Sequence, residues 1–205
     1  MALKHIRFIA ALCLLVTIGS SWIPTRLAHA LAGSPTGRLP SLQAFASQFK
    51  NGKAEVLAGV YIPELLAAQV TQQPAGNAGF VTAWPNYVTQ FSTASRFGSI
   101  GLLAHNYLAG RSFSQLGKNQ TFHLVYGNGR AVTFVVTEIL RYQALEPNSV
   151  TSTFKDLESG ALLSTSELFL RLYNRPGVVV LQTCISAEGN SSWGRLFIIA
   201  EPLPE

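Results

Sequence analysis

From residue 54 onward, apolar residues come in short runs separated by turn-forming residues, the signature of β-strands. The runs fall at 55–62, 67–73, 86–92, 98–104, 121–126, 131–142, 178–184 and 193–200. Three consecutive valines and a leucine at 178–181 read as a strand buried on both faces. Between Tyr126 and Ala131, the segment Gly127-Asn128-Gly129-Arg130 offers residues that tolerate positive φ, which predicts a hairpin turn. Two stretches read as helix. Ser41 is placed to cap a short one, with Leu42, Phe45 and Phe49 along one face and Gly52 ending it. Ser164 followed by Glu167 fits a capping box, which predicts a helix over 165–173 stopped by Pro176-Gly177. Many short strands and one or two short helices predict a mainly β domain, a single closed barrel of about eight strands.

The first 30 residues follow a different pattern. Lys4 and Arg7 precede a mostly apolar run from Phe8 to Ile23, and Ala28-His29-Ala30 fits the small-x-small site of a signal peptidase. Thr17, Gly19, Ser20 and Ser21 weaken the run as a permanent membrane span, so a cleaved signal is expected ahead of a retained anchor. Leu12 before Cys13 gives no lipid-attachment context. The organisation expected is therefore 1–30 signal peptide or signal anchor, 31–53 linker and short helix, and 54–203 barrel domain.

Export changes the meaning of charge and cysteine count. The chain holds 15 Lys and Arg against 10 Asp and Glu, but Lys4, Arg7 and Arg26 lie in the signal, where there are no acids. What remains is 12 basic against 10 acidic residues, and no basic stripe points to nucleic acid. Of two cysteines, only Cys184 lies beyond the signal. Oxidising compartments favour paired or absent cysteines, so a leftover one points to intermolecular pairing or to a reactive thiol.

Cys184 ends the apolar run 178–184, where a rigid sheet gives way to an open rim. A nucleophile there is held firmly and still meets substrate. If 178–184 and 193–200 pair antiparallel, Arg195 falls at the same end of the sheet, on a face shared with Trp193 and Phe197. Taken singly, a cysteine is most often a small buried hydrophobe and an arginine at a strand start a surface residue. A thiol also needs a base or a positive charge to react at neutral pH. Of four histidines, His5 and His29 lie in the signal. His123 sits mid-run in 121–126 and reads as decoration on a strand face, whereas His105 follows the apolar run 100–104 and ends a core strand.

Leu103-Ala104-His105 with Gly110, Phe113, Leu116 and Gly117 resembles the sortase pattern around the catalytic histidine. Leu181-Gln182-Thr183-Cys184 resembles the family's Leu-x-Thr-Cys signature, and Gly194-Arg195-Leu196 resembles the segment that holds its arginine. The resemblance spans roughly residues 54–203. Ala104 and Asn106 depart from the Gly and Arg that often flank the histidine, and the acid-lined calcium site of some members has no evident counterpart, so no metal or cofactor is expected. The resemblance implies an eight-stranded barrel and an exported transpeptidase at the extracytoplasmic face of the membrane or the cell surface. It implies His105, Cys184 and Arg195 as catalytic residues, with Thr183 and Trp193 as candidate substrate contacts. The partners implied are secreted proteins bearing a sorting signal and an amine acceptor on the cell wall or another protein. Other readings stay open at this point: a cysteine peptidase using the same His–Cys pair, and an exported β-barrel binding module with an inert Cys184. A cell-wall L,D-transpeptidase also uses Cys and His, but with the two much closer than the 79 positions found here.

Overall fold

Each of the eight apolar runs expected to be a strand is one. In the computed structural model, which describes residues 38–149 and 151–204, they are β1 (Lys53–Ile62), β2 (Leu66–Gln72), β3 (Tyr87–Phe91), β4 (Ile100–Leu103), β5 (Thr121–Gly127) and β6 (Ala131–Ala144), then, beyond the short β7 (Phe154–Asp156) and β8 (Leu162–Leu163), β9 (Val179–Ala187) and β10 (Asn190–Pro202). The expected export signal and the linker up to residue 37 lie outside the described residues. Four short helices accompany the strands: α1 (Leu42–Ser47), α2 (Ser92–Ser95), α3 (Gly110–Phe113) and α4 (Thr165–Tyr173). Among the described residues no helix is long and apolar enough to cross a membrane.

The strands follow one another around the sheet in the order β1, β2, β3, β4, β9, β10, β6 and β5, and the β5–β1 pairing closes the barrel. The β7–β8 hairpin extends the sheet from the far half of β6. At the β5–β6 turn Gly129 takes φ +84° and the Tyr126 N–H bonds the Arg130 carbonyl, as the Gly-Asn-Gly segment predicts. Ser164 and Glu167 make the reciprocal capping box on α4.

Two cores share the central strands. Val179 and Leu181 of β9, with Leu196, Ile198 and Ala200 of β10, point into the barrel among Val60, Phe113, Phe122 and Leu124. The alternate residues Val180, Phe197 and Ile199 face outward and are covered by Leu168, Phe169, Leu172 and Tyr173 of α4. Burial on both faces is why the β9 sequence is continuously apolar instead of alternating. The pairings also orient the rim. β4 runs parallel to β9 and antiparallel to β3, while β10 runs antiparallel to β9. The end of β4, the end of β9 and the beginning of β10 therefore share one mouth of the barrel.

Candidate active site

Three neighbouring strands lead the sequence-predicted residues His105, Cys184 and Arg195 to one mouth of the barrel. Arg195 of β10 pairs directly with Cys184 of β9. On the other side of β9, Leu103 pairs with Gln182 and the Ala104 N–H bonds the Gln182 carbonyl. Beyond the end of β4, that parallel register leads His105, two residues after Leu103, towards Cys184, two residues after Gln182. Facing follows from alternation along β9 and β10. Val180 and Phe197 belong to the outer core, so Cys184, four residues after Val180, and Arg195, two before Phe197, lie on the outer face, the one that β4 presents at Leu103 before it leads into His105.

The imidazole of His105 is half-buried, and burial pushes its pKa below the ordinary histidine value. A hydrogen bond to the backbone carbonyl of Val81 opposes the shift in part. That carbonyl is a neutral acceptor. It comes from the 73–86 loop, which is pinned on both sides of Val81. Gln73 Nε2 donates to the carbonyls of Ala78 and Phe80, and the Thr82 N–H donates to Thr89 Oγ1 at 2.8 Å. The exposed ring of Tyr107 stacks on the imidazole at 5.2 Å between centroids.

Arg195 is 1% exposed, the largest side chain fully buried in the described chain. Its Nη1 donates to the carbonyls of Ser192 and Gly194, both at 2.9 Å, and its Nε is buried without a hydrogen-bond partner. No carboxylate among the described residues pairs with it. The Ser192 carbonyl is available because β10 bulges: Asn190 pairs with Ala187 but Gly194 pairs with Ile185, so extra residues stand on the β10 side. The two bonds from Nη1 are both to neutral carbonyls.

The candidate substrate contacts separate. Thr183 is 3% exposed, pairs with the interior residue Leu196 and turns to the opposite face from Cys184. There it lies against Gly110: a Cβ on that glycine would overlap Thr183 Oγ1 and come within 2.7 Å of the His105 carbonyl oxygen. Gly110 is needed for this close approach, because its own N–H bonds the His105 carbonyl and closes the turn behind the imidazole. Trp193 lies half-buried in the β10 bulge, its indole N–H buried without a partner. His123 sits elsewhere, on β5 between Tyr61 and Thr133.

Neither a protein-family model nor a curated protein sequence matches the chain. Solved structures do. Sortase C1 from Streptococcus suis is 16% identical with a TM-score of 0.50, over 79% of this chain and 79% of that one. Sortase C-1 from Actinomyces oris is 16% identical at a TM-score of 0.49 over 82% and 81% of the two chains. Sortase A from Listeria monocytogenes is 13% identical at 0.44 over 73% and 88%. At these identities the likeness is one of fold, and the S. suis structure carries it. With its closed eight-stranded barrel and the covering helix α4, the described chain has the sortase fold.

Proposed function

We propose that this chain is an exported cysteine transpeptidase of the sortase type. The observation that supports the reading is the pairing of Cys184 with Arg195 at the mouth where β4 leads into His105, with the arginine buried and no acid paired with it among the described residues. In this reading the Cys184 thiolate attacks the carbonyl carbon of a peptide bond in a sorting signal, forming a C–S bond and a tetrahedral oxyanion. The Arg195 guanidinium faces that oxyanion, a charge that exists only along the reaction path, so its attraction lowers the barrier and not the ground state. As the intermediate collapses, the C–N bond breaks and protonated His105 gives its proton to the departing amine. An acceptor amine then attacks the thioester, His105 takes the amine's proton, and the thiolate leaves. No metal or cofactor takes part.

Burial of His105 disfavours its protonated form, and the Val81 carbonyl opposes that shift in part. The substrates are secreted proteins carrying a sorting signal, and the acceptor is an amine on the cell wall or on another protein. Residues 1–30 deliver the enzyme outside the cytoplasm, as a cleaved signal or an anchor.

The test is to mix the protein with sorting-signal peptides and hydroxylamine and weigh the products. A peptide hydroxamate, together with a thioester adduct on Cys184 when hydroxylamine is omitted, supports transfer. Free acid alone in the presence of the amine would move the assignment to a hydrolase. No adduct on Cys184 with any peptide, and slow thiol labelling of the folded protein, would leave a non-catalytic barrel.

A further inference from the structure

The site at this mouth extends beyond the strand pairing. β4 ends at Leu103, and its last backbone bond to β9 comes from Ala104. His105 is therefore one residue past the sheet. Asn106, its neighbour, reaches back. Its Nδ2 donates to Ser186 Oγ at 2.7 Å and to the Ser191 carbonyl at 3.0 Å, groups 80 and 85 positions away. Ser186 follows Cys184 by two residues on the same face of β9. Ser191 precedes Ser192, whose carbonyl holds the Arg195 guanidinium. A single amide joins the three segments that carry the three site residues.

The chemistry of the acceptors fixes which end of the amide must face them. The Ser191 carbonyl only accepts, and Ser186 Oγ donates its own proton to that carbonyl at 3.4 Å, leaving its lone pairs for Asn106. Two acceptors converge, so only a side chain offering two N–H bonds from one atom satisfies both. An amide oxygen turned to them would face repulsion.

We propose that Asn106 is a positioning residue, whose amide clamps the exit of β4 to the β9–β10 hairpin and so sets the separation of His105 from Cys184 and Arg195. The proposal rests on the transpeptidase reading above. It makes the reacting geometry depend on a contact outside the three site residues themselves. Displacements of about 1 Å at a reacting centre are enough to change rates by orders of magnitude.

The test uses the thiol itself and needs no peptide. The rate of Cys184 alkylation by iodoacetamide is followed from about pH 5 to about pH 9, where thiolate and imidazole both titrate. Wild type and His105→Ala come first: an inflection present in the former and missing from the latter shows that the imidazole senses the sulfur. Superposable profiles would sink that pairing, and with it the catalytic reading. Given the inflection, Asn106→Ala is expected to shrink it about threefold or more, Ser186→Ala to shrink it less, and the double variant to match Asn106→Ala alone. An Asn106→Ala profile that overlays the wild type, whether or not the melting temperature falls, overturns the proposal while leaving the catalytic reading intact. So does strict additivity of the two substitutions. Should Asn106→Ala fail to fold, Ser186→Ala decides alone, a reduced inflection supporting the clamp and an unchanged one overturning it.

Discussion

His105, just past the end of β4, and His123, on β5, are both half-buried in one barrel, and burial lowers the pKa of both. Their surroundings differ in what else is polar. On the β1–β5–β6 wall, His123 Nδ1 lies 3.1 Å from Thr133 Oγ1, and its ring tilts against Tyr61. Every partner there is neutral, and the ring simply covers a strand face. At the β4–β9–β10 mouth, His105 follows the strand beside β9, where a thiol pairs with a buried guanidinium that has no ion pair among the described residues, and the imidazole is tied to a loop carbonyl. Desolvation alone therefore does not separate the two histidines. What separates them is the thiol and the guanidinium at one mouth, in place of the hydroxyl and the tyrosine ring beside the other.

The widest gap between the two walls lies in activity. Cys184→Ala is expected to abolish thioester formation, and His105→Ala to cost about 10²–10⁴-fold in acyl transfer, the usual worth of a positioned acid–base group. His123→Ala should change turnover by no more than about twofold, in keeping with a surface substitution. Rates measured with a peptide and hydroxylamine decide it, and a His123→Ala variant as damaged as His105→Ala would erase the contrast. Arg195→Ala comes next, at about 10²–10³-fold, the scale of losing a preorganised oxyanion donor. Its control is Arg175→Ala, where the guanidinium already has Glu138 at 2.6 Å and Glu201 at 3.6 Å. That pair is partly exposed, so its loss should leave turnover unchanged and shift stability by about 1 kcal/mol at most.

How far each wall could be read from the sequence follows from how its residues are fixed. The eight barrel strands showed themselves because burial writes apolar runs into the chain. β7 and β8 did not, since Phe154–Asp156 and Leu162–Leu163 are too short to display a period. α2 and α3 are single turns, whose stability comes from packing more than from local propensity. Cys184 and Arg195 could be placed together because antiparallel pairing makes the end of one strand meet the start of the next. Their shared mouth with His105 needed the parallel β4–β9 register, which sequence does not give. Val81 and Asn106 left no local signal, being defined by partners far along the chain. Thr183 adjoins the thiol in sequence, and for that very reason strand alternation turns it to the opposite face.

Between the large catalytic effects and the small ones stands Gly110, which supports the mouth from behind. Gly110→Ala drives a methyl into Thr183 and the His105 carbonyl, so either the turn or β9 must move. Overpacking of this kind costs about 1–3 kcal/mol, or several degrees in melting temperature. A further loss of acyl transfer beyond the unfolded fraction is expected, because the displaced atoms carry the imidazole. A variant that melts normally and turns over normally would show that the turn has slack.

The smallest effect reverses the contrast between the walls, because in acid the two histidines behave alike. Each has a folded-state pKa below the unfolded value of about 6.5. Between those values the unfolded chain holds more protons, so stability rises with pH across the window and is lost as the solution is acidified. Melting temperature should therefore fall on going from about pH 7.5 to about pH 5, and His123→Gln should reduce that fall by roughly 1–2 °C. His105→Gln should reduce it as well. The acid limb of turnover, by contrast, should lie below about pH 6.5, persist in His123→Gln and have no counterpart in the inactive His105→Gln. Should His123→Gln shift that limb, the two walls would be coupled, and the contrast drawn between them would have to be replaced by a single titrating network across the barrel.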